Sequence, residues 1–299
     1  MTGTDPAKIK RLPNTDGMKN EVVIQKLHVT PFSLSFRLAG AKLIEVGDAL
    51  GTDPSEIEDA INDKTAAVAY VFWPNLRRTV SLEETIEISH NKGVPTIVDA
   101  AFMLPPVDDL CKFPKMGADL VVFSGGKGIQ GPNDTGLIFG RASLVKACAL
   151  QASPNYGVGR PMKVSKEQIV GLFVALEQYL RRNHQADLVS WNERAGYLVE
   201  RLRGLPNIEV RRVFPDENGR PIPLVQVILD ERSCAKTARD VVCALKADHG
   251  IRVGERYVHR GVIELHVTCL RDGEEQTIAN KLVLCNDGLG WCCECGLVL

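Results

Sequence analysis

Residues 98–141 read VDAAFMLPPVDDLCKFPKMGADLVVFSGGKGIQGPNDTGLIFGR. Three apolar runs lie in or against this stretch: VPTIVDA (94–100), ADLVVFS (118–124) and TGLIFG (135–140). Short, nearly continuous apolar runs are the pattern of strands covered on both faces. The segment between the first two has room for a crossover helix, which predicts a parallel pair. The step from Ser124 to Thr135 is too short for one, so TGLIFG is expected to run antiparallel to its neighbour. The first two runs end in unusual chemistry, Asp99 on one and Ser124, Gly125, Gly126, Lys127 and Gly128 on the other.

The same alternation continues toward the N-terminus. EVVIQKL (21–27), AKLIEVG (41–47) and AAVAYVFW (66–73) read as strands. Between them are a helical stretch at 34–38 ending at Gly40, and a helix capped at Asp53 and Ser55 with Pro54 in its first turn. In SLEETIEISHNKG (81–93), Ser81 and Glu84 form a capping-box pattern and Gly93 marks the end. Strand–helix–strand repetition predicts a mostly parallel sheet with right-handed crossovers and helices on both faces. Toward the C-terminus the pattern changes. Two long helical periods (166–182 and 187–205) lead to IEVRRVF, PLVQVIL, AKTARDVVCALKA, VIELHVT and EEQTIANKLVL, a mixture expected to form a small α+β domain. The expected organisation is a large α/β domain at 1–160, linking helices at 161–204, the small domain at 205–284 and a cysteine-rich tail at 285–299.

Composition bounds the function. The chain has 299 residues, 44% apolar and 24% charged, enough for a sizeable core. Lys plus Arg number 36 and Asp plus Glu 37, a net charge of −1, which argues against a nucleic-acid partner. No apolar run reaches the roughly 18 residues of a membrane span. MTGTDPAKIKRLPNTDGMKNE has no signal-peptide core, so a cytoplasmic location is expected. Of nine cysteines, five are scattered singly and read as reduced. Cys285, Cys292, Cys293 and Cys295 crowd the tail without a nearby histidine, and no metal site is expected.

Ligands of open parallel sheets bind beyond the carboxyl ends of the strands. A charge placed there needs a partner. If the strands ending at Asp99 and Ser124 are adjacent, Asp99 and Lys127 face one crevice. A lysine and an acid so placed suit pyridoxal phosphate, the lysine condensing with the aldehyde and the acid pairing with the pyridine nitrogen. The flanking glycines allow a sharp turn, and Ser124 offers a hydrogen bond to a phosphate. A plain ion pair and another kind of phosphate site remain open, although GGKG lacks the P-loop frame.

VDAAFMLPP…KMGADLVVFSGGKGIQGPNDTGLIFGR resembles the cofactor-lysine region of fold-type-I pyridoxal-phosphate enzymes. More narrowly it is similar to the family of selenocysteine synthase (L-seryl-tRNA selenium transferase) and its relatives acting on sugar acids, such as D-glucosaminate-6-phosphate ammonia-lyase. RLPNTDGMKNEVVIQKLH and GRPMKVSKEQIVGLFVALEQYL carry the same likeness, which runs from about residue 2 to about residue 283. The resemblance implies the aspartate-aminotransferase-like fold and assigns roles by position. Lys127 matches the Schiff-base lysine, Asp99 the acid at the pyridine nitrogen, and Ser124 the serine near the phosphate. His28 matches the ring that stacks on the cofactor, and Gly131 and Pro132 match the turn after the lysine. Arg160 and Lys163 match a basic segment expected to contact an anion, from the partner subunit of a homo-oligomer.

The likeness also has departures. Phe102 stands where relatives carry a small residue, and HVTPFSLSF (28–36) is less polar than expected there. The match starts after the helix that cradles the phosphate in the family, so the large domain is expected to be N-terminally incomplete. The expected activity is α-proton removal from an amino acid or amino-sugar acid followed by β-elimination, without tRNA. A class-V aminotransferase and a truncated, non-catalytic subunit are the alternatives. Arg252 and Arg256 are candidates for a substrate carboxylate by residue type, Asn75 reads as a turn residue, and His249, His259 and His266 read as structural.

Overall fold

The computed structural model describes residues 1–72, 78–234 and 236–286. Asn75, Cys292, Cys293 and Cys295 lie outside the described residues. Contacts divide the chain into two compact units, Met1–Arg182 and Asn183–Leu299.

In chain order, the first unit contains α1 (Pro6–Arg11), β1 (Glu21–Gln25), α2 (Leu34–Leu38), β2 (Lys42–Val46), α3 (Pro54–Ala60), β3 (Thr65–Val71) and α4 (Leu82–Asn91). It continues with β4 (Thr96–Asp99), α5 (Asp109–Lys115), β5 (Leu120–Ser124), β6 (Gly136–Gly140), α6 (Ala142–Gln151) and α7 (Lys166–Arg181). The strands form one sheet in the order β2-β1-β3-β4-β5-β6. The pairs from β2 to β5 are parallel. β6 runs antiparallel to β5, with Ser124 opposite Gly136, as the short connection requires.

Why the sheet is covered on both faces is visible in β1, where all five residues are buried. Successive side chains point to opposite faces. Val23 packs with Ile57 of α3 and Val68 of β3. Val22 and Ile24 pack with Ala69 and Val71 of β3 and with Phe36 of α2. A third cluster joins Val98, Val121 and Phe123 of β4 and β5 to Phe113 of α5 and to Leu172 and Tyr179 of α7.

Two helix starts, at α4 and α3, follow the sequence signals. The Ser81 hydroxyl accepts from Glu84 N–H, and Asp53 and Glu56 form a capping box. At α7, Ser165 and Gln168 cap each other reciprocally.

The second unit contains α8 (His184–Leu202), β7 (Ile208–Val213), β8 (Leu224–Leu229), α9 (Ala238–His249), β9 (Val262–His266) and α10 (Glu274–Asn286). The two long helices expected to link the domains thus fall on either side of the division. The strands form an antiparallel sheet, β7-β8-β9. One face is apolar, with Val225, Val227, Ile263 and Leu265 packing against Leu198, Leu245 and Ala279 of the helices. The other carries a polar ladder. Arg211 Nε donates to Gln226 Oε1 (2.9 Å), and Gln226 Nε2 donates to Glu264 Oε1 (3.0 Å).

Candidate active site

The carboxyl ends of β1, β3, β4 and β5 converge on one edge of the first unit's sheet. Register fixes this, because Val71 pairs with Asp99 and Asp99 with Val122. The strand order reverses between β1 and β3, with β2 on the far side of β1. Open α/β sheets bind ligands at such a reversal.

Asp99 ends β4 and is half-buried. Its Oδ1 accepts from Ala101 N–H at 3.0 Å. Its backbone is held on both sides: Phe72 N–H donates to the Asp99 carbonyl (3.0 Å), and Ala100 N–H to the Val122 carbonyl (2.9 Å). Ser124 ends the adjacent strand, and its N–H donates to the Ala101 carbonyl at 3.3 Å.

Lys127 stands exposed on the tight loop after β5. Gly125 N–H donates to the Thr135 carbonyl (2.9 Å) and Gly131 N–H to the Gly125 carbonyl (2.8 Å), which closes the loop on itself. The glycines are required by space. A Cβ at Gly125 would stand 2.0 Å from Thr135 Oγ1, one at Gly126 2.7 Å from Asn133 Cα, and one at Gly128 2.7 Å from the Leu104 carbonyl oxygen. Gly131 and Pro132 lie against α7, where Gly171 lets Pro132 approach. The structure therefore brings Asp99, Ser124 and the lysine loop to one edge. Among the described residues neither Asp99 nor Lys127 belongs to a salt bridge, so the two are not a plain ion pair.

His28 follows β1 and is 0% exposed. Val71 N–H donates to its Nδ1 at 3.4 Å, and its ring meets Tyr70 edge-on with centroids 4.5 Å apart. The neutral ring then carries its proton on Nε2, which is buried without a hydrogen-bond partner among the described residues. Burial pushes the ring's pKa down to about 4. The structure leaves no accessible face of this ring. Next to it, Gln25 accepts from Val80 N–H (2.8 Å) and donates to the Val80 carbonyl (3.1 Å), which ties the chain before α4 to the end of β1.

Arg160 and Lys163 lie at the short turn Arg160–Met162. Arg160 donates to Ser153 Oγ at 2.5 Å and lies over the Tyr156 ring, 5.4 Å from its centroid. Lys163 is exposed. Arg256 in the second unit pairs with Glu217 at 3.2 Å. Among the described residues no group of three or more side chains has the makings of a metal site.

Sequence reasoning did not find the rings around the lysine. Lys127 Nζ lies 5.6 Å from the Phe102 centroid and 6.0 Å from the Phe32 centroid. The signal was present, since both phenylalanines mark departures from the resembled family. Gln25 left no such trace, because a buried glutamine in a strand is recognisable only once its backbone partner is known.

The aminotransferase class-V family model matches residues 34–210. The chain belongs to the aminotransferase class-V family. Within this class-V setting, two curated relatives match over 94% of the chain. A Streptomyces 5'-C-glycyluridine monooxygenase-decarboxylase is 33% identical, with 71% of its length covered. The D-glucosaminate-6-phosphate ammonia lyase of Salmonella typhimurium is 30% identical, with 75% covered. The L-seryl-tRNA(Sec) selenium transferase of Aquifex aeolicus is 27% identical over 66% of the chain and 49% of its own length. Among solved structures, D-glucosaminate-6-phosphate ammonia-lyase superposes with a TM-score of 0.77 at 29% identity, over 96% of this chain and 76% of that one. The fold is therefore that of the fold-type-I enzymes, and the class-V family and its related lyases depend on pyridoxal phosphate. No helix among the described residues is long and apolar enough to cross a membrane.

Proposed function

We propose that this chain is a pyridoxal-phosphate-dependent lyase or transferase acting on a small amino acid or amino-sugar acid. The reading rests on one observation: Lys127 stands on a glycine-built loop beside the strand end that carries Asp99, and neither is neutralised by the other. The donor set fits the cofactor. It has an amine without an acid partner and a half-buried carboxylate without a cation.

When bound, pyridoxal phosphate supplies an electrophilic carbon and a ring that accepts an electron pair. Lys127 Nζ would hold the cofactor and would take up the α-proton of the substrate. Asp99 would face the ring nitrogen, and Ser124 would donate to a phosphate oxygen. A β-hydroxyl would leave as water by taking up the proton held on Nζ, and the α-amino nitrogen would be freed as ammonia when water replaces it. Arg160 and Lys163 supply positive charge to an anion, in a homo-oligomer that works in the cytoplasm. A class-V aminotransferase uses the same lysine and acid, and the family favours it as the second reading. A keto-acid product that depends on an amino acceptor distinguishes it.

The test is an absorbance spectrum of the purified chain with pyridoxal phosphate. Wild type is expected to develop a visible band that borohydride bleaches, and Lys127→Ala is expected to show none. A folded wild type without the band overturns the reading.

A further inference from the structure

Lys127 Nζ lies near two phenylalanine rings that arrive from different loops. Phe32 lies in the turn Pro31–Ser33 after β1, and Phe102 follows Asp99 at the end of β4. Phe102 is half-buried and packs against the apolar cluster of β4, β5 and α5. Phe32 is 64% exposed, so the folding of this chain does not account for it. Its accessible ring lies 6.0 Å from the amine, within reach of a ligand held there.

We propose that Phe32 and Phe102 are specificity-determining residues, forming an aromatic slot at Lys127 that selects amino acids with a flat ring on the side chain. The inference rests on the reading of Lys127 as the reacting amine and names the substrate class of that site. A substrate whose amine reaches Nζ must carry its side chain past these rings. A flat ring stacks on the accessible Phe32 face, and offset or edge-to-face ring pairs bind more tightly than area alone provides.

A phosphorylated sugar acid meets the opposite conditions. Ring faces carry the negative part of the aromatic quadrupole and repel anions. Hydroxyl groups lodged against two rings lose water and find no donors on them. Burial keeps His28 neutral near pH 7, so it brings no positive charge to the rings. The substrate class therefore parts from that in the name of the ammonia-lyase relative, although the fold is shared.

The experiment titrates three unreactive ligands into the full chain saturated with pyridoxal phosphate, by calorimetry. The ligands are 3-phenylpropionate, 3-cyclohexylpropionate and 6-phosphogluconate. The first two share a skeleton and differ in flatness. Wild type is expected to bind the phenyl compound roughly two- to tenfold more tightly than the cyclohexyl compound, and 6-phosphogluconate most weakly. Phe32→Leu, which keeps an apolar side chain, is expected to abolish the preference, and Phe32→Tyr to retain it. Equal binding of the first two ligands by wild type, or preference for 6-phosphogluconate, overturns the proposal. So does a Phe32→Leu variant that changes sedimentation mass but keeps the preference, since Phe32 would then serve a subunit contact. The visible band separates this inference from the reading beneath it. A band without ring preference overturns the slot alone, and ring preference without a band overturns the reacting role of Lys127.

Discussion

His28 shows how one buried side chain couples the sheet edge to pH. Its Nδ1 takes the Val71 N–H and no surface of it is exposed, so the charged form has lost water without gaining an acid partner. The folded ring titrates near 4, whereas the ordinary value is 6.5. Between those two pH values the unfolded chain carries a proton that the folded chain does not. Stability is therefore full above about 6.5 and falls as pH drops through the window, by about 3 kcal/mol over its whole width. His28→Asn keeps an acceptor for Val71 N–H and cannot titrate. Denaturant unfolding at pH 7 and pH 4.5 is expected to show a smaller acid loss in the variant by about 2 kcal/mol, and equal losses would refute the burial argument. The residue type and its place after the first strand were legible in the sequence. Its depth was not, because burial depends on what Tyr70 and the end of β3 bring against it.

The strand–loop–strand unit of β5 and β6 was the most legible element, for a geometric reason. Eleven intervening residues are too few to cross over a sheet, so the antiparallel pairing of Ser124 with Gly136 follows from chain length. The glycines at 125, 126 and 128 were legible as a turn, but their necessity comes from three different neighbours, at Thr135, Asn133 and Leu104. These are contacts distant in sequence or specific in register, which local composition does not carry. Gly128 is the sharpest case, because its missing Cβ would meet a backbone carbonyl that has no rotamer to give. Gly128→Ala is expected to destabilise the first unit by about 1–3 kcal/mol and to weaken the visible band of the neighbouring lysine. Unfolding midpoints and cofactor titration measure the two effects. Unchanged values in both would mean that the loop has slack that the geometry does not show. At α7, Gln168 donates to Asp134 Oδ2 at 2.9 Å, so the same loop is also braced by a helix.

At the scale of the whole molecule, α7 carries two apolar faces where one would serve a monomer. Leu172 and Tyr179 are buried in the first unit, while Ile169, Val170, Phe173, Val174 and Leu180 are exposed, Phe173 by 69%. Single exposed apolar residues are ordinary, but a run of them at helical spacing is expected to meet a partner. The helical spacing of its apolar residues was visible in the sequence; which face looks outward required the packed sheet. A net charge of −1 sets no long-range repulsion between copies, so the surface suits a second copy of this chain. In a two-fold contact each substitution occurs twice, which magnifies its cost. Wild type is accordingly expected to sediment above its 32.8 kDa monomer mass at micromolar concentration. Phe173→Glu is expected to shift it to monomer by placing two carboxylates in the contact. A wild type that sediments as a monomer rules out a homo-oligomer under those conditions. An oligomer unaffected by Phe173→Glu instead places the contact elsewhere and leaves the outer face of α7 for a different partner.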